Sequence, residues 1–142
     1  LNILASMRLC SNVPGQFAIQ TALGGYQSIN DLVGEGGRLR RQRDMAYDML
    51  TSIPGISTVK ADATLYMFPK LDPKIYPIID DQSFALDLLK EEKVLIVQGT
   101  GFNWIRPDHF RMVFLPNGDD LQDAMKRMER FFHNYRKRFG TL

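Results

Sequence analysis

The chain has 142 residues, 44% hydrophobic and 24% charged, with a formal net charge of +2, which is enough length for one domain that buries roughly 70% of its unfolded surface. Its single cysteine, Cys10, and two histidines exclude an internal disulfide and a structural zinc site, and no apolar run nears the ~20 residues that a bilayer span requires. The near balance of charge argues against a nucleic-acid partner and leaves a reducing cytoplasm, with no membrane, as the expected setting.

The N-terminus lacks the basic-then-apolar layout of a secretion signal, and because the chain starts at Leu1 rather than at a methionine we expect a piece of something longer. Pro14 opens an amphipathic stretch to about Tyr26, weakened at its end by Gly24 and Gly25, and the GEGG segment, Gly34 to Gly37, breaks the chain. A second helix is predicted from Arg38 to Ser52, with Leu39, Ala46, Met49, Leu50 and Ile53 on one face and IPG as its stop. GISTVK and ATLYMFPKL read as adjacent strands of a hairpin across Ala61 and Asp62. Asp80 or Asp81 caps a helix through Glu92 that buries Phe84, Ala85, Leu88 and Leu89. VLIVQ and HFRMVFL are strands joined by the loop from Gly99 to Pro107. A last helix from Asp119 to Arg138 carries Leu121, Met125, Met128, Phe132 and Tyr135 on one stripe, with acids first and bases last, the order that the helix dipole favours. The predicted fold class is α+β: two leading helices, then ββαββα with helices packed on a four-stranded sheet.

Most motif readings fail on their own chemistry. GTG, Gly99 to Gly101, follows a strand, but the third glycine of a dinucleotide loop is replaced by Trp104 and a strand rather than a helix follows. No G-x-S-x-G elbow supports a catalytic triad, and His109 and His133 have no second ligand at metal spacing. Tyr66 and Phe68 share a strand face without the basic residue and glycine of an RNA-binding sheet, so they read as core aromatics. Arg111 is different. On its strand Phe110, Met112 and Phe114 share one face and His109, Arg111, Val113 and Leu115 the other, and both faces look buried. Spacing leaves two readings open: a structural ion pair or edge-strand arginine, and a fork that holds a carboxylate in two parallel hydrogen bonds.

GTGFNWIRPDHFRMVFL with the preceding VLIVQ resembles the C-terminal segment of class I pyridoxal-phosphate aminotransferases of the aspartate aminotransferase fold, where V-x-V-x-P-G-x-x-F leads into a strand of the form F-R-[IVL]. TLYMFPKL resembles the hairpin strand before it, SNVPGQFAIQTAL the helix after the lysine segment, and VQGTGFNW with LYMFPKL is most similar to the bacterial glutamate-pyruvate (alanine) branch. Gln98 stands at the usual proline position, which that branch shares, and Ala63 at a usual glycine.

The resemblance implies the end of the large domain with a connecting helix in residues 1–34 and a C-terminal small domain in residues 35–142. It implies that Arg111 binds the substrate α-carboxylate and that Gly99, Thr100 and Phe102 lie at the substrate entrance. The intact protein would be a homodimer using pyridoxal 5'-phosphate to exchange amino groups between an amino acid such as alanine and 2-oxoglutarate. No lysine here has the family's Ser-x-x-Lys context, so catalytic and cofactor-binding residues are expected elsewhere and the fragment is expected to be inactive alone. The alternative is a free-standing α+β amino-acid-binding regulatory module that uses the same arginine.

Overall fold

Among the described residues four helices precede the first strand, where the sequence predicts two. In the computed structural model, which describes residues 2–7 and 12–139, these are α1 (Asn2–Met7), α2 (Val13–Gly24), α3 (Ile29–Val33) and α4 (Arg38–Ser52). Leu1, Cys10 and Ser11, on which three sequence expectations rest, lie outside the described residues. The Asn12 side chain accepts the Gly15 N–H at 2.9 Å and Pro14 occupies the first turn, which needs no N–H there, so α2 begins as predicted. The expected amphipathicity is not found, because its apolar residues are spread around the helix rather than gathered on one face; among the described residues α2 has none that is buried, and Phe17 is 82% exposed. The GEGG break holds because a Cβ on Gly37 would lie 2.3 Å from the Leu32 carbonyl oxygen and Gly36 takes φ +74°. α4 follows at once, and its buried Leu39, Ala46 and Leu50 are those the spacing selected, joined by Gln42.

Among the described residues the strands are five and short: β1 (Ile56–Ser57), β2 (Tyr66–Met67), β3 (Lys70–Leu71), β4 (Val97–Gln98) and β5 (Phe110–Val113). Instead of one four-stranded sheet they make an antiparallel pair, β1–β3, and a three-stranded sheet in the order β2–β5–β4, linked by a bridge between Lys70 and His109. Pro69 accounts for the division. The pairs Tyr66–Val113, Met67–Met112 and Lys70–His109 keep one continuous register, which sets Phe68 opposite Arg111 and Pro69 opposite Phe110. Phe110 donates its N–H to the Pro69 carbonyl at 3.2 Å, but proline has no N–H to return, and the ladder resumes with Leu71 N–H on the Asp108 carbonyl at 2.7 Å. The expected hairpin is also revised, because β1 pairs with the far end of the TLYMFPKL run, and residues 58–65 form an irregular connection in which Thr64 takes φ +69°.

α5 (Asp81–Glu92) is capped by Asp80, and α6 (Gly118–Phe139) closes the chain. The predicted α6 stripe is buried in full and gains Phe131. It packs against α4 and α5 and meets Phe110, Met112 and Phe114 from the sheet. Phe132 lies at the centre, with ring centroids 5.4 Å from Tyr76, 5.8 Å from Phe84 and 6.1 Å from Phe110. Arg130 of α6 donates its Nε–H to the Glu92 carboxylate at 3.0 Å, tying the end of α5 to α6. The class is α+β, as expected. Among the described residues no helix is long and apolar enough to cross a membrane, and no group of side chains is placed to hold a metal ion.

Two measurements check this core. Phe132→Ala should lower unfolding free energy in urea by about 3–5 kcal/mol, the usual cost of removing a fully buried phenylalanine. Burial pushes the Tyr76 phenol up to about 12, against a small opposing pull from Arg136, while its O–H donates to the Pro54 carbonyl at 2.7 Å. The folded chain thus holds this proton more tightly, so the associated stability is present below the ordinary tyrosine value and lost as pH rises through about 12. The tyrosinate absorbance that disappears in Tyr76→Phe should titrate near 12 in the folded protein.

Candidate functional site

The direction of Arg111 follows from its neighbours. Phe110, Met112 and Phe114 are buried against the helices, so the strand's period of two sends Arg111 to the opposite face. That face is not core: Val113 is 37% exposed and Arg111 is half-buried, which corrects the expectation that both faces are covered. Arg111 sits on the central strand, paired with Val97 on one side and opposite Phe68 on the other, so it is not an edge arginine reaching for water.

Two rings hold the guanidinium. Its central carbon is 4.3 Å from the Phe102 ring centroid and 4.6 Å from that of Tyr66, both in reach of cation–π attraction. No carboxylate among the described residues pairs with it, and its buried Nε–H has no hydrogen-bond partner. The structural ion pair is therefore not realised among the described residues. Tyr66 and Phe68 are likewise not core aromatics; Met67 between them is the buried residue, and they stand on the Arg111 face. Arg111 also lines a groove of about 380 Å³ with Val97, Met112, Val113 and Met125.

The loop ahead of β5 brings in Phe102. Gly99 to Phe102 form one 3₁₀ turn, closed by Asn103 in the left-handed conformation at φ 59°. Gly99 is required because its N–H donates to the His109 carbonyl at 2.9 Å, and a Cβ would come within 2.7 Å of that same oxygen. Gln98 pairs with Phe110 in β4 and leads directly into the turn. Asp81, buried at the first turn of α5, accepts the Thr100 N–H at 2.9 Å and the Thr100 O–H at 2.7 Å. The sequence marked Asp81 only as a possible helix cap; Asp80 takes that role and leaves Asp81 for the loop.

A second buried carboxylate holds the other end of the loop. Asp108 Oδ1 accepts the Trp104 indole N–H at 2.9 Å and lies 2.7 Å from His109 Nδ1. Burial pushes the Asp108 carboxyl up, but hydrogen bonds from His109 and Trp104 and the charges of His109 and Lys70 outweigh it, so it stays below the usual carboxylate range. The His109 ring stacks on Phe68 at 5.0 Å and tilts against Trp104 at 4.4 Å, and Phe68 meets the edge of Phe102 at 6.4 Å. Sequence reasoning assigned none of Asp108, His109 or Trp104 to this site; the adjacency of Asp108 to His109 was the available signal. His133 is exposed on α6, away from this cluster.

A separate, mostly apolar cleft of about 480 Å³ runs between α3, the start of α4 and residues 61–65, with Ala63 on its wall and Arg111 outside it. Ala63, at the usual glycine position, is exposed on the wall of this cleft, and Thr64 after it takes the positive φ.

The family model for aminotransferase class I and II matches residues 3–128. The chain is 57% identical over 137 residues to the glutamate-pyruvate aminotransferase AlaA of Haemophilus influenzae, covering 96% of this chain and 34% of that protein. It is 56% identical over 137 residues to the alanine aminotransferase of Mycobacterium tuberculosis, covering 96% of this chain and 32% of that protein. Among solved structures it is similar to an aminotransferase from Escherichia coli, with a TM-score of 0.83 and 56% identity over 94% of this chain and 33% of that one. The alanine aminotransferase of Pyrococcus furiosus superposes with a TM-score of 0.74 at 42% identity, over 92% of this chain and 32% of that one. The chain thus spans about a third of the length of the curated relatives it matches.

The Asp108 pair has a pH signature. Because its folded value lies below the unfolded one, its stabilisation is fully present above the ordinary carboxylate value and is lost as pH falls through the folded value. Asp108→Asn should therefore be less stable than the wild type by about 1–2 kcal/mol near neutral pH, with the gap in urea midpoints narrowing below about pH 4.

Proposed function

The chain belongs to the class I and II aminotransferases, and from this we propose that it is the C-terminal third of an enzyme that moves amino groups between alanine and 2-oxoglutarate, with Arg111 binding the α-carboxylate of each substrate. The observation that carries this reading is the state of Arg111: a guanidinium held in place by Phe102 and Tyr66, with a buried Nε–H and no anionic partner among the described residues. A cation built in without its anion is stable in function when the substrate supplies that anion, and the planar fork matches a carboxylate in two parallel bonds. The identity to glutamate-pyruvate and alanine aminotransferases supports the choice of substrates.

The family's cofactor is pyridoxal phosphate, which when bound supplies the electron sink for amino-group transfer. The residues present here do not fit it. Every described lysine is exposed, and Lys60, which comes nearest to an engaged one, pairs with Asp44 at 2.9 Å and lies over the Tyr47 ring. We assign cofactor binding and catalysis to the other two thirds of the parent, so this chain alone is inactive. Residues 1–34 then form the end of the large domain and the connection, a division supported by the fully exposed α2 and the GEGG turn, and residues 35–142 form the small domain. Gly99, Thr100 and Phe102 flank the substrate entrance, and the parent is a cytoplasmic homodimer.

Arg111→Lys in the intact enzyme tests the assignment. Losing the second of two charge-assisted hydrogen bonds, at about 1.5–3 kcal/mol each, should lower kcat/KM for alanine by more than about tenfold. A value within about twofold of the parent in steady-state assays would remove Arg111 from this role.

A further inference from the structure

The loop over Arg111 is fastened at both ends by buried carboxylates on different elements. Asp81, 5% exposed on α5, takes both polar hydrogens of Thr100 at the loop's start. Asp108, 6% exposed at the foot of β5, takes the Trp104 N–H and pairs with His109 at the loop's end. Only Gly101, Phe102 and Asn103 lie between these fixed points, and Phe102 is the residue whose ring covers the guanidinium. A third line of contact supports the ring from the side: Asp108 orients His109, His109 stacks on Phe68, and Phe68 meets the Phe102 edge. A buried carboxylate is costly unless its hydrogen bonds are met, so each anchor holds its partner in one geometry rather than a range.

We infer that Asp81 and Asp108 are positioning residues that act through Thr100, Trp104 and Phe102 to hold the Arg111 guanidinium in one plane for the substrate carboxylate. The inference rests on the carboxylate-binding role given to Arg111 above. Neither aspartate touches Arg111, and neither is required to exchange a proton. Their effect is preorganisation: a fork held edge-on to its target loses less freedom on binding, and a misplacement of about 1 Å costs on the order of a hundredfold in rate.

The test compares two substrates in the intact enzyme, alanine and ethylamine, which has the same carbon next to its amine but no carboxylate, by single-turnover half-reactions. Asp81→Ala and Asp108→Ala should each lower the second-order rate constant for alanine by about tenfold or more and leave that for ethylamine within about twofold. The loss should fall mainly on KM, and Asp81→Asn and Asp108→Asn, which keep an acceptor oxygen, should recover part of it. Where an alanine variant fails to fold, Thr100→Val and Trp104→Phe, each removing one donated hydrogen bond, should lower the alanine-to-ethylamine ratio in the same direction. Equal losses for both substrates would make the aspartates merely structural and overturn the inference, as would no loss for either. Arg111→Lys is the reference: if it leaves the ratio unchanged, the role of Arg111 fails first. If it lowers the ratio and the four aspartate variants do not, only the positioning role is overturned.

Discussion

The packing of β5 against α6 is the constraint from which the rest of this structure follows. Phe110, Met112 and Phe114 must be buried for the α6 stripe of Leu121, Met125, Met128, Phe131, Phe132 and Tyr135 to be covered. Once those three face inward, the strand's alternation leaves Arg111 no choice but the outer face, and the central position of β5 keeps it between two neighbouring strands. The core thus sets the direction of the one side chain that is not explained by the core.

Arg111 in this setting is held but not neutralised. Stacking against Phe102 and Tyr66 contributes about 0.5–2 kcal/mol per ring, whereas removing a cation from water costs several. The rings therefore fix the guanidinium's plane without replacing an anion. The contrast with the other buried charges is direct: Glu92 has Arg130, Asp108 has His109 and Trp104, and Asp81 has Thr100. Among the described residues the buried carboxylates are satisfied in this way, whereas no carboxylate pairs with the half-buried Arg111 guanidinium.

Burial differs on the two sides of GEGG. From α4 onward the apolar residues converge on one core. Before it, Phe17, Ile19 and Leu23 of α2 stay exposed although their helix is properly capped and carries the Pro14 start. Local signals were enough to form that helix, but apolar residues spread around it do not create a surface to pack against.

Much of this was legible because it depends on near neighbours in sequence. The helix start at Pro14, the breaks at GEGG and IPG, the cap at Asp80, the α6 stripe, the α4 face and the placing of Arg111 opposite Phe110, Met112 and Phe114 all follow from spacing and side-chain chemistry, whereas the exposure of the Arg111 face does not. The family motifs drew attention to Arg111 and to Gly99, Thr100 and Phe102, which the structure places in one neighbourhood through the Phe102 ring. The tertiary structure alone decided what depends on pairing between distant segments. Pro69 splits one apparent strand because its missing N–H matters only once Phe110 lies opposite. Tyr66 and Phe68 face Arg111 rather than the core because the register with β5 puts them there. Asp81 and Asp108 hold the loop across 19 and 4 residues of sequence respectively, contacts that no local period encodes. A strand's alternation can be read from its residues, but which surface each face meets is settled only by the partners that the fold brings alongside it.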